Sequence, residues 1–131
     1  MFLGGMVLIK GIGTDIIEIE RINKAVKRNS NFLNKIFTDK ELEYFKRRNF
    51  KGETIAGGFA GKEAVAKAFG TGFRNFNIKD IEILRDDFGK PIVYINGKAE
   101  ELLKAYGNYK IHISISHSKE NAIAYALMEV D

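Results

Sequence analysis

The chain has no cysteine, no tryptophan and a single proline among its 131 residues. Without cysteine there is no disulfide framework and no thiolate metal site. The two histidines, His112 and His117, offer no zinc-ligand spacing. No apolar run approaches the ~18 residues of a membrane span. The opening Met1-Phe-Leu-Gly-Gly-Met-Val-Leu-Ile-Lys10 has no basic stretch before its short apolar run and makes a poor signal peptide. What remains is 45% hydrophobic and 29% charged. That is one domain's worth of chain, able to bury roughly two thirds of its unfolded surface without a staple. We therefore expect one soluble, cytoplasmic domain spanning residues 1–131. Residues 1–6 are read as a dispensable lead, because Met6 can equally serve as a start.

Several familiar ligand motifs are missing. Gly57-Gly-Phe-Ala-Gly-Lys62 resembles a phosphate loop only superficially: Ala56 stands where its leading glycine belongs, and Glu63 where Ser or Thr is needed. Gly11-Ile-Gly13 lacks the third glycine of a dinucleotide fingerprint. No Gly-x-Ser-x-Gly elbow is present for a serine hydrolase.

Charge is present but uneven. The net charge is +4, yet residues 21–51 hold ten basic and three acidic side chains, so the remainder is net negative. Such asymmetry favours an anionic partner, although any single lysine is more often just a solvated residue. A nonenzymatic nucleic-acid-binding domain using the basic 21–51 segment is the alternative this pattern raises. Against it, there is no aromatic RNP-like strand and no helix-turn-helix spacing.

Periodicity outlines the elements. Val7 to Ile19 reads as a strand interrupted by Gly11 and Gly13, implying a bulge or a close backbone approach. A helix is predicted over 20–28, with Ile22 and Val26 inward and Arg21, Lys24 and Arg28 on another face. Phe32, Leu33, Ile36 and Phe37 suggest a short helix or turn. Thr38-Asp-Lys-Glu41 is a capping-box pattern opening a helix over 39–48. A longer helix over 53–69 tolerates Gly57, Gly58 and Gly61, as it would where another backbone or a ligand comes close, and ends at Gly70 and Gly72. Residues 81–85 and 92–95 form a hairpin around the turn 86–91. A short helix over 98–106 precedes strands over 110–116 and 122–130. Helices first and antiparallel strands after give an α+β fold, an antiparallel sheet packed with helices.

Three groups of residues carry chemistry. Asp15 lies among Ile12, Ile16 and Ile17, and a carboxylate flanked by buried neighbours needs a partner: a salt bridge, a turn donor or a hard metal ion. Glu63 and Lys67 are four apart and share a helix face; Phe59 stands one turn earlier, and Lys62 points about 100° away. Taken alone, that spacing fits an ordinary surface pair equally well. Ser114-Ile-Ser-His-Ser118 puts hydroxyls and an imidazole at a strand end.

Together these segments resemble the holo-[acyl-carrier-protein] synthase family of phosphopantetheinyl transferases. Gly11-Ile-Gly-Thr-Asp-Ile-Ile-Glu-Ile-Glu-Arg-Ile22 is similar to its first signature and Phe59-Ala-Gly-Lys-Glu-Ala-Val-Ala-Lys-Ala68 to its second, with Gly61 in place of an alanine. Gly89-Lys-Pro91 and Ser114-Ile-Ser-His117 complete the order. The resemblance implies transfer of the 4′-phosphopantetheine arm of coenzyme A to a serine of apo-acyl carrier protein, releasing 3′,5′-ADP. It implies Mg²⁺ held by Asp15 and Glu63, and Lys67 meeting phosphate charge. Lys62 is a second candidate for phosphate contact or proton transfer. His117 and Ser118 would contact coenzyme A. The general base is either a water held by the cation or Glu63 itself. Arg21, Lys24 and Arg28 would dock the acidic carrier protein, with Phe32 as an apolar anchor. The family further implies a homotrimer with intersubunit active sites, for which the last strands and the His112, Ser114, Ser116 face are candidates.

Overall fold

The computed structural model describes residues 6–131, so the expected lead lies almost wholly outside the described residues. Strand β1 (Leu8–Glu18) runs directly into helix α1 (Ile19–Arg28). Short α2 (Phe32–Ile36) and α3 (Asp39–Arg47) follow, then the long α4 (Gly52–Ala68). The hairpin β2 (Ile81–Arg85) and β3 (Pro91–Ile95), helix α5 (Gly97–Leu103), β4 (Tyr109–His117) and β5 (Asn121–Val130) complete the chain. The α+β expectation is met, with most boundaries within a residue or two. The predicted helix over 98–106 is shorter: α5 stops at Leu103, and Lys104–Tyr106 tightens into a 3-10 turn ending at Gly107, whose φ is +70°.

The strands form a three-stranded antiparallel sheet in the order β1-β5-β4, with β2-β3 as a separate two-stranded sheet. Because side chains alternate along a strand, β5 turns Ala122, Ala124, Ala126 and Met128 toward α4 and leaves Ile123 and Tyr125 exposed on the other side. Three of the four inward residues are alanine, which lets the helix lie close to the sheet.

Contact is closer still at β1. A Cβ on Gly11 or Gly13 would overlap the carbonyl oxygens of Ala68 and Ala64. The two glycines let strand backbone rest on helix backbone, and a bulge between Ile9 and Gly11 adjusts the register. Both expectations for this strand are met.

Helix α4 is buried around most of its circumference, as a helix inside a core must be. Its C-terminal half, including Ala60, Ala64 and Val65, packs with Ile81, Ile83 and Met128. Its N-terminal half, with Ile55 and Ala56, packs with Ile19, Ile22, Phe37 and Phe45. Burying side chains of this size contributes about 1.5–3 kcal/mol each, and the Phe37 and Phe45 rings meet edge to face at 4.7 Å.

The capping box forms as predicted. Glu41 N–H donates to Thr38 Oγ1 at 3.3 Å, and Thr38 N–H donates to Glu41 Oε1 at 2.9 Å. Among the described residues, no helix is long and apolar enough to cross a membrane.

Candidate active site

Asp15 and Lys67 are 52 residues apart in sequence and meet because the two β1 glycines bring that strand onto α4. Lys67 Nζ lies 3.2 Å from Asp15 Oδ1 and donates to the Thr14 carbonyl oxygen at 2.9 Å. Glu63, one turn earlier on the same helix face, is half-buried. Burial pushes its carboxyl above the ordinary carboxylate range; the Asp15 charge adds to that shift and the Lys67 ammonium opposes it. Asp15, Glu63 and Lys67 thus form one electrostatic cluster.

The cluster suits a hard cation. Two partly desolvated carboxylates on different elements repel each other unless a positive charge stands between them, and the Lys67 ammonium already takes that place against Asp15. Among the described residues no third histidine or carboxylate joins them. Two protein oxygens, with further ligands left to water and substrate phosphate, is the arrangement Mg²⁺ favours.

Lys62 is not part of this cluster, contrary to the expectation that it contacts phosphate or moves a proton. Its side chain is fully buried and pairs with Glu41 Oε1 at 2.8 Å. It also donates to the carbonyl oxygens of Ile81 and Ile78, and its ammonium lies 5.3 Å from the centre of the Phe37 ring. Burial lowers its pKa, while the Glu41 carboxylate opposes the shift. The reason is the 100° step along the helix: Glu63 faces the site, and its neighbour faces the core. Glu41 is the residue that sequence reasoning missed. Its capping-box position gave it a sufficient local role and hid the long-range one.

His117 and Ser118 lie at the end of β4 and just beyond it, apart from the cluster. His117 Nδ1 is 3.7 Å from Glu53 Oε2, near the start of α4. Ser118 closes the β4–β5 turn, its hydroxyl accepting from Asn121 N–H at 3.2 Å. Glu53 and Glu63 are ten helical residues apart, about 15 Å along the axis, so the fold of this chain holds the two groups apart. The nearby open depression, about 680 Å³, is lined by Glu18, Glu20 and Glu120 against Lys119, and holds none of the expected site residues.

Arg21, Lys24 and Arg28 are exposed on α1, opposite the buried Ile22. Phe32 is half-buried against the core that includes Phe37, so only part of its ring is free. Because Glu41 is buried and neutralised by Lys62, the surface of the 21–51 segment is more basic than its composition implies.

Residues 11–126 match the family model of the 4′-phosphopantetheinyl transferase superfamily. The chain is 60% identical over 124 residues to the holo-[acyl-carrier-protein] synthase of Clostridium novyi, covering 95% of this chain and 90% of that one. It is similar to the crystal structure of holo-ACP-synthase from Plasmodium yoelii, with a TM-score of 0.84, 37% identity, and 97% and 99% of the two chains covered. A holo-(acyl-carrier-protein) synthase from Bacillus anthracis in complex with CoA (3′,5′-ADP) gives a TM-score of 0.78 at 39% identity, covering 94% and 98%. None of these supports the nucleic-acid-binding alternative. With its two signature segments brought together by glycine-mediated packing, the chain belongs to the 4′-phosphopantetheinyl transferase superfamily, among its holo-[acyl-carrier-protein] synthases.

Proposed function

We propose that the protein transfers the 4′-phosphopantetheine group of coenzyme A to a serine hydroxyl of apo-acyl carrier protein, giving holo-carrier and 3′,5′-ADP. The observation that carries this reading is the convergence of Asp15, Glu63 and Lys67 from the two signature segments. The serine oxygen forms a bond to the phosphorus bearing the pantetheine arm. The bond from that phosphorus to the bridging oxygen breaks, and 3′,5′-ADP leaves with the electron pair. The serine proton passes to Glu63 or to a water.

Asp15 and Glu63 would hold Mg²⁺, which when bound screens the diphosphate and polarises the attacked phosphoryl group. Lys67, half-exposed on the same helix face, is the donor for charge that develops on the leaving phosphate. Asp15 is largely shielded from solvent, and its backbone is fixed by pairing with β5 opposite Ala124. That fixed frame suits a reaction in which alignment and charge stabilisation supply most of the acceleration.

Arg21, Lys24 and Arg28 form the docking face for an acidic carrier, which salt should weaken mainly through the association rate. The outer face of the sheet exposes Ile12, Ile16, Ile123 and Tyr125 beside His112, Ser114 and Ser116. An apolar patch of this kind supports an interface between copies of the chain, and the family resemblance makes that assembly a homotrimer. Assembly would bring His117 and Ser118 of one copy to the Asp15 cluster of another, completing the coenzyme A site. The reading includes a cytoplasmic location and service to fatty acid biosynthesis.

The test is mass spectrometry of an apo-acyl carrier protein incubated with the enzyme, coenzyme A and Mg²⁺. The carrier should gain one phosphopantetheine arm. Asp15→Ala and Glu63→Ala should each lower the rate about a hundredfold or more, the scale of losing a charge-stabilising group. Unchanged turnover in both variants would remove the site assignment.

A further inference from the structure

Lys67 holds the very carboxylate that the cation would need. Its ammonium is within 3.2 Å of Asp15 Oδ1 and is anchored by the Thr14 carbonyl oxygen at 2.9 Å. The two partners are unequally fixed: the Lys67 side chain is 53% exposed, and that of Asp15 only 18%. The lysine is therefore the partner free to leave. Charge arithmetic gives it a reason to do so. Two carboxylates and one ammonium sum to −1. Adding a divalent cation makes the cluster +1 and sets two positive charges against the same oxygens, which repel at this range. A diphosphate would reverse the sign again and offer the ammonium a new acceptor.

We propose that Lys67 and the divalent cation compete for Asp15, and that the coenzyme A diphosphate resolves the competition by drawing the ammonium off the carboxylate. The proposal rests on the reading of Asp15 and Glu63 as the cation's ligands. Lys67 then does more than bind phosphate. It holds cation affinity down until substrate is present, and this makes binding of the two ligands mutually reinforcing. Linkage requires the effect to be reciprocal: whatever factor coenzyme A adds to cation affinity, the cation adds to coenzyme A affinity.

The experiment is a Mn²⁺ titration of the full chain, with free Mn²⁺ followed by electron paramagnetic resonance, in the absence and presence of coenzyme A. Without coenzyme A, Lys67→Met should bind Mn²⁺ roughly two- to fivefold more tightly than the wild type, the range expected for removing a partly exposed ion-pair partner. Lys67→Arg, which keeps the charge, should stay near the wild type. The factor by which coenzyme A tightens Mn²⁺ binding should be smaller in Lys67→Met. Equal or weaker Mn²⁺ binding by Lys67→Met, undiminished coupling, or no measurable binding by either protein would overturn the competition. Asp15→Asn and Glu63→Gln separate this from failure of the underlying reading. If they weaken Mn²⁺ binding while Lys67→Met does nothing, only the competition falls. If neither weakens it, the cation assignment falls and takes the competition with it.

Discussion

Helix α4 carries two lysine–carboxylate pairs whose lysines are five residues apart. Lys62 pairs with Glu41 at 2.8 Å, with side-chain exposures of 0% and 3%; Lys67 pairs with Asp15 at 3.2 Å, with exposures of 53% and 18%. The first is closed. Lys62 is shared among Glu41 and two backbone carbonyls, and Glu41 also accepts from the N–H groups of Thr38 and Ile83. It ties the start of α3, the middle of α4 and β2 into one unit. The second is open: Lys67 is half-exposed and also donates to the Thr14 carbonyl oxygen, and the half-buried Glu63 stands one turn earlier on the same helix face. A buried pair without freedom to exchange partners suits architecture, whereas a half-exposed pair that can exchange them suits chemistry. Lys62 and Lys67 are the same residue type on the same helix, and only their surroundings assign the roles.

The sharpest way to break this contrast is to remove one member of the closed pair. Lys62→Met leaves the Glu41 carboxylate buried without its cation and should cost about 3–5 kcal/mol. For a domain of this size that lowers the melting temperature by roughly 10 °C or more. Removing both charges with Lys62→Met and Glu41→Gln should recover a good part of the loss, because no uncompensated charge remains. Denaturant melts of the four proteins in the cycle measure this. Turnover per folded molecule should stay near the wild-type value in the double variant. A collapse of turnover with stability intact would return Lys62 to the chemistry.

The open pair should behave the other way round. Lys67→Met should change stability by less than about 1 kcal/mol, as an exposed pair does, yet slow phosphopantetheine transfer about a hundredfold through lost phosphate stabilisation. A melt and a transfer assay on the same preparation decide it. A large stability loss with normal turnover would invert the comparison.

These two pairs also mark how far the sequence could be read. Periodicity located nearly every element because most of them obey local rules: alternation in β4, the capping box at Thr38, the glycines after α4. The close approach of Gly11 and Gly13 was legible as a requirement, though its target was not, since Ala64 and Ala68 lie about fifty residues downstream. Asp15 stands out in the sequence as a carboxylate among apolar neighbours, and Glu63 and Lys67 as a pair on one helix face; only the signature resemblance gives the three a shared site. The core-facing place of Lys62 is not legible in the sequence, because nothing local distinguishes a lysine turned toward a site from one turned into the core. Its partner Glu41 sits 21 residues earlier with a complete local explanation of its own. The separation of His117 from the Asp15 cluster was equally invisible, because it depends on how β4 runs relative to α4.

The smallest expected effect sharpens the comparison at the carboxylates. Burial and the Asp15 charge raise the Glu63 pKa above its unfolded value. Between the folded and unfolded values the native chain binds more protons than the unfolded one, so stability falls as pH rises through that window. The penalty is absent below the unfolded pKa and complete above the folded one. Glutamine carries no such penalty. In chelating buffer, Glu63→Gln should therefore melt slightly above the wild type at pH 7.5, by a few degrees at most, and the difference should vanish near pH 4. Glu41→Gln should do the opposite at pH 7.5, because it strips a buried ammonium of its counter-charge. The half-buried Glu63 carboxylate would thus cost the free protein stability, while the buried, paired Glu41 carboxylate would supply it. If both variants lowered the melting temperature at pH 7.5, Glu63 would be a structural carboxylate like Glu41, and the division of labour along α4 would fail.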